Sequence, residues 1–170
     1  MYALNKDNVR DITEKCIGES EFERHALYAL HFMTENIHTS IWVGESYSSI
    51  GSDGISSGLY QKLTGSSPYY LGFVDLHEGL TAIAKGFAGD EFENDIEFIR
   101  DATGEFINRI NGEYVIASSK SDMMLDMEPQ LFLEETEVAE VLKPSSILHI
   151  PVKIGDSEAE MLFVKMNSYS

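Results

Sequence analysis

The 170-residue chain has one cysteine, Cys16, four prolines, and only 12 lysines and arginines against 29 aspartates and glutamates. A single thiol excludes an internal disulfide and any metal site held by several thiolates. The basic residues are few and nowhere clustered, and the formal charge is −17. That balance excludes nucleic acid as a partner, because phosphate binding needs a basic patch that releases counterions. Uninterrupted apolar runs reach only a few residues, whereas a membrane span needs about 20, so no membrane insertion is expected. The opening MYALNKDNVRD lacks the apolar core of a secretory leader, and the expected location is the cytoplasm.

Several catalytic signatures are missing as well. Gly44-Glu45-Ser46-Tyr47-Ser48 lacks the closing glycine of a nucleophile elbow. Gly51, Gly54 and Gly58 do not form GxGxxG, and there is no P-loop. The five histidines give neither HxH nor HExxH, and Asp122 and Asp126 lack the glycine and closing glutamate of a calcium loop. His31 and His38 would share a face if residues 25–38 were helical, but solvated or partly packed side chains are the better reading. No metal site of the chain's own is expected.

What is present is a folding core. The chain is 43% hydrophobic, with one tryptophan, eight tyrosines and nine phenylalanines, which argues against an acidic disordered tail. Its length fits a single domain spanning residues 1–170. Apolar spacing predicts helix from Asp7 to about Met33, broken at Gly18–Ser20, with Ser20 capping the second piece. Ile37–Val43 reads as a strand, and the Ser/Gly-rich stretch 45–58 as a mobile loop or loose hairpin. Further strands are expected at Gly58–Leu63, Tyr69–Asp75, Met123–Met127, Gln130–Leu133, Ile147–Ile154 and Ala159–Met166, with Gly155-Asp156-Ser157 turning the last hairpin. Leu80, Ile83, Ala84 and Phe87 mark a helix ending at Gly89. An acidic link then leads into the longest helix, about Asp95–Ser118, with Asn94 as N-cap and Glu97 in the capping-box place. The class is α+β.

The long helix carries the candidate site. Ile96, Ile99, Thr103, Phe106, Ile107, Ile110 and Tyr114 gather on one broad side. With Asp101 at zero and 100° per residue, Glu105 falls at about 40°, Asn108 at about 340° and Gly112 at about 20°. These four lie opposite the apolar stripe. Gly104 and Gly112 each cost a helix about 1 kcal/mol relative to alanine. Two readings stay open on physical grounds: the helix needs room for something to approach closely, or the face is simply solvated and the glycines are accidental.

The stretch DATGEFINRINGEYVIAS, with Asp101, Glu105, Asn108 and Gly112 in register, resembles the signature helix of the CheC/CheX chemotaxis phosphatases. The preceding LHEGLTAIAKGFAGDEFENDIEFI is similar to that family's helix and acidic link. The resemblance covers residues 57–170, is most specific over 79–127, and leaves residues 1–50 as a divergent, partly helical region. The family's downstream proline doublet is here Glu128-Pro129-Gln130, and only one motif is present, as in CheX-like members.

The resemblance implies an α+β domain with a mostly antiparallel sheet of about six strands packed by helices. It also implies an enzyme that removes the phosphoryl group from the phospho-aspartate of a CheY-like receiver. Asn108 would orient the attacking water, Glu105 would pair with a partner lysine, and Asp101, Gly104 and Gly112 would help docking. The Mg2+ ion would belong to the phosphorylated partner, and a homodimer would be in keeping with CheX-like members. The alternative is a non-catalytic receiver-binding or scaffold module of the same fold.

Overall fold

A computed structural model describes residues 1–51, 53–121 and 124–166. In chain order the elements are Tyr2–Leu4 (β1), Val9–Ile17 (α1), Glu23–Asn36 (α2), Ile41–Val43 (β2), Tyr47–Ile50 (β3), Gly58–Thr64 (β4), Tyr69–His77 (β5), Gly79–Ala88 (α3), Ile96–Ser119 (α4), Asp126–Met127 (β6), Leu131–Leu133 (β7), Val138–Leu142 (α5), Pro144–Ile154 (β8) and Ser157–Met166 (β9). Short 3-10 turns follow α3 and precede α5.

All the strands join one antiparallel sheet in the order β1-β2-β8-β9-β5-β4-β6, with β3 pairing β8 and β7 pairing β4. Among the described residues the sheet therefore has nine strands rather than about six. The two strands that no local pattern foretold are β1 and β3. Both are short, and each is held by pairing with a strand distant in sequence. Tyr47–Ile50 is thus an edge strand against β8 rather than a loop or a local hairpin.

Alternation along the central strands divides the core in two. Leu59, Leu71, Phe73, Ile150, Val152, Met161 and Phe163 face α1–α4 and pack with Ala26, Leu30, Met33, Ile83, Phe106, Ile107 and Ile110. Tyr60, Tyr70, Val74, Leu162 and Val164 point to the other face, where Val138 and Leu142 of α5 cover them. Gln61 breaks the pattern: it lies on β4 among the residues facing the helices, yet it is polar and 1% exposed.

Helix boundaries differ from expectation where backbone hydrogen bonds decided them. The break between α1 and α2 falls where predicted, but Ser20 does not cap α2. Its Oγ accepts from the Phe22 N–H at 3.1 Å, and Phe22 itself is the N-cap residue. Helix α2 runs to Asn36, so Ile37 closes it and the following strand begins only at Ile41. The N-cap of α4 is Asp95, not Asn94: Asp95 Oδ1 accepts from Phe98 N–H at 2.9 Å. Ile96, expected on the buried stripe, is the first residue of α4 and is 62% exposed. The expected strand at Met123–Met127 is seen as Asp126–Met127, and Met123 lies outside the described residues. Strands β8 and β9 form the predicted hairpin, with Ile154 paired to Ser157.

Candidate functional site on helix α4

Helix α4 packs on β4, α2 and α3, and its remaining side carries the motif. Asp101 and Glu105 are exposed and make no ion pair among the described residues. Asn108 is half-buried one turn further along. Thr103, Phe106, Ile107, Ile110 and Tyr114 are buried, as the helical wheel requires. The outward line of Asp101, Glu105, Asn108 and Gly112 is therefore real, and Ile116, 65% exposed, extends it by one turn.

The two glycines are not equivalent. Gly104 is buried, and a Cβ there would lie 3.1 Å from Gln130 Cγ and 3.2 Å from its Nε2. The close approach at Gly104 is thus made by the chain's own Gln130, next to Pro129, rather than by open space for a partner. Among the described residues, a Cβ on Gly112 would meet only Met127 Cε, at 4.0 Å. Gly112 has no intramolecular need for its missing side chain.

Beneath Asn108 lies a buried polar chain. Gln61 Nε2 donates to Asn108 Oδ1 and to the Glu128 carbonyl, both at 2.9 Å. Gln61 Oε1 accepts from Asn111 Nδ2 at 2.8 Å. Asn111 Oδ1 is 2.8 Å from His25 Nε2, and His25 Nδ1 is 2.7 Å from the Tyr69 hydroxyl. His25 is stacked on Tyr114 with centroids 4.1 Å apart and rings 4° from parallel. Burial lowers its pKa to about 3, against an Asn111 hydrogen bond that acts the other way, so the ring is neutral at pH 7.

Sequence reasoning placed Asp101, Glu105, Asn108 and Gly112 on one face and the structure brings them together there. It missed His25, Gln61 and Asn111. The available signal was polarity in the wrong place: a histidine on the buried stripe of α2, a glutamine on an inward strand position and an asparagine one turn beyond Asn108. His31, considered above for a shared face with His38, instead lies exposed with its Nδ1 2.8 Å from Glu35. Among the described residues no group of three or more His, Cys, Asp and Glu is placed to hold a metal ion. No helix among them is long and apolar enough to cross a membrane.

The fold with this helix on its face is that of the CheX and CheC-like chemotaxis proteins. A chemotaxis protein CheX from Desulfovibrio desulfuricans is similar at TM-score 0.62 and 16% identity, over 85% of this chain and 97% of that one. A chain of the CheX-CheY-BeF3-Mg2+ complex from Borrelia burgdorferi is similar at TM-score 0.65 and 18% identity, over 87% and 99%. The FliM middle domain from Vibrio alginolyticus is similar at TM-score 0.57 and 11% identity, over 91% and 93%. These shares exceed what residues 57–170 make up, so part of the divergent N-terminal region shares the fold too. No protein-family model and no curated protein matches the sequence.

Proposed function

We propose that this chain is a phosphatase for the phospho-aspartate of a CheY-like receiver domain. The observation that carries the reading is Asn108, its carboxamide held from below and its outer edge open, on the same exposed face as Glu105 and Asp101. An amide both donates and accepts, so Asn108 can orient a water for in-line attack without any tuned pKa. Positioning is the main catalytic resource in phosphoryl transfer, where the protein does little covalent work. Glu105 then pairs with a partner lysine, and Asp101 adds to the same anionic stripe. The partner supplies the acyl phosphate, its Mg2+ and a basic docking face, since a charge of −17 repels an acidic one. The likeness to a CheX found in complex with CheY supports this choice of partner.

The test is the decay of a phosphorylated receiver domain from the same organism, with wild type, with Asn108→Ala and with neither. Wild type accelerates decay and Asn108→Ala does not, while both bind the receiver. Unchanged acceleration by Asn108→Ala sinks the mechanism. A second reading, a non-catalytic receiver-binding or scaffold module of the same fold, is supported by Glu128-Pro129-Gln130 standing where the family has a proline doublet. It is the reading to adopt if the receiver binds and its phosphate decays at the unassisted rate.

A further inference from the structure

Asn108 does not choose its own orientation. Gln61 Nε2 carries two hydrogens and faces two oxygens, the Glu128 carbonyl and Asn108 Oδ1. A backbone carbonyl can only accept, so the amide edge turned toward Glu128 has to be the nitrogen. Turning Gln61 over would set its oxygen against the Glu128 carbonyl at 2.9 Å. The sense of every other bond follows from that one. Gln61 Oε1 accepts from Asn111 Nδ2, which leaves Asn111 Oδ1 to accept from His25 Nε2–H. His25 then has a free lone pair on Nδ1, and the Tyr69 hydroxyl donates to it. Donors and acceptors match along the whole chain, which runs from β5 through α2 and α4 to β4 and ends at the surface of α4. Gln61 is 1% exposed and His25 and Asn111 are equally enclosed, so water does not compete for these groups.

We propose that Gln61 is the positioning residue of this site, fixing the Asn108 carboxamide with its oxygen turned inward and its amino group turned outward. The inference deepens the phosphatase reading and rests on it for its kinetic consequence; the ordering of Asn108 itself does not depend on activity. An asparagine on a helix surface samples several rotamers and both amide senses. Held by Gln61, it presents Nδ2, which has no partner among the described residues, and the second lone pair of Oδ1 in one fixed plane. A water bound there arrives already aligned, and misplacement by about 1 Å costs up to about 100-fold in rate.

Two variants of the full chain test this. Gln61→Met keeps the length of the side chain and removes both donors. Gln61→Glu keeps its shape but offers an acceptor where Asn108 and Glu128 need a donor. Melting curves and near-ultraviolet circular dichroism establish which variants fold. The first readout is the nitrogen-edited NMR spectrum of the Asn108 side-chain amide. It is expected to be ordered and dispersed in wild type, and mobile in Gln61→Met. The second is turnover of a CheY-type receiver charged with acetyl phosphate, with binding measured on the same receiver loaded with beryllofluoride. Expected is a fall of about 10- to 100-fold in kcat with KM and binding changed less than about twofold. The loss is absent when Gln61→Met is added to Asn108→Ala, because the two residues act as one unit. In Gln61→Glu, lowering the pH protonates the new carboxyl and gives it one O–H, enough for one of the two acceptors, so activity relative to wild type recovers only in part.

An Asn108 amide that is equally ordered, or equally mobile, in wild type and in a folded variant overturns the proposal. So does an unchanged kcat in a folded Gln61→Met. A wild type inert toward every receiver, but with Asn108 order lost in the variant, upholds the positioning and removes the phosphatase reading instead.

Discussion

Among the described residues two polar networks are built around a buried histidine, and they differ in where they end. Under α4, the chain from Tyr69 through His25, Asn111 and Gln61 is uncharged throughout and opens onto Asn108. Across the sheet, Ser49 Oγ lies 2.6 Å from His149 Nε2, His149 Nδ1 is 3.0 Å from Glu160 Oε1, and the Tyr47 hydroxyl donates to Glu160. Tyr47 also stacks on His149, with centroids 4.5 Å apart. This second network converges on a carboxylate, which only accepts and closes the chain. Burial alone would raise the Glu160 carboxyl, but hydrogen bonds from His149 and Tyr47 and attraction to His149 take it below its usual range. The lesson is that a neutral chain carries a direction from one residue to the next, whereas a carboxylate absorbs it. The first network can orient a surface group; the second fastens the edge strand β3 to β8 and β9.

Removing each histidine-centred network in turn has the largest expected effects. His25→Leu strands Asn111 Oδ1 and the Tyr69 hydroxyl in the core and is expected to cost about 3 kcal/mol or more in urea unfolding. Glu160→Gln, at the sheet edge, is expected to cost about 1–2 kcal/mol, because water and the remaining amide can still serve His149 and Tyr47. Equal losses would show that the two networks are energetically alike.

Acid separates the networks by pH window. His25 has a folded pKa of about 3 against an ordinary 6.5, so the unfolded chain takes up that proton first. The stability it contributes is full above 6.5 and is lost as pH falls from 6.5 toward 3. The Glu160 pKa is also lowered, so its contribution is full above the ordinary 4.5 and is lost only as pH falls through its lower native value. Unfolding midpoints measured against pH should therefore decline in two stages. His25→Leu flattens the decline between pH 6.5 and 4.5, and Glu160→Gln flattens it only below that.

The smallest effects sharpen the contrast between the two glycines of α4. Gly112→Ala meets only Met127 Cε at 4.0 Å, so it should stabilise the protein by about 0.5–1 kcal/mol through helix propensity. If Gly112 clears space for a receiver, the same variant binds that receiver more weakly, which a titration measures. Gly104→Ala has to displace Gln130 and should gain nothing or lose up to about 1 kcal/mol.

Much of this fold was legible where the deciding interactions are local. The period of α2 and α4, the break between α1 and α2, and the β8–β9 hairpin follow from side chains a few residues apart. The outward line of Asp101, Glu105, Asn108 and Gly112 is likewise fixed by helix geometry once the helix is granted. The strands β1 and β3 were not legible, because three- and four-residue segments become strands only when a distant edge supplies their hydrogen bonds. Gly104 was misread for the same reason: its neighbour Gln130 comes from beyond the end of α4.

The sequence by itself determined that a long helix would present an acid–acid–amide face, since that needs only 3.6 residues per turn. What holds the amide still was decided by tertiary structure alone. Asn108 meets Gln61 across 47 positions of sequence and Asn111 meets His25 across 86. No local periodicity encodes such pairs. They come together because β4, α2 and α4 bury their apolar sides against one another, and polar side chains trapped in that core must then satisfy each other.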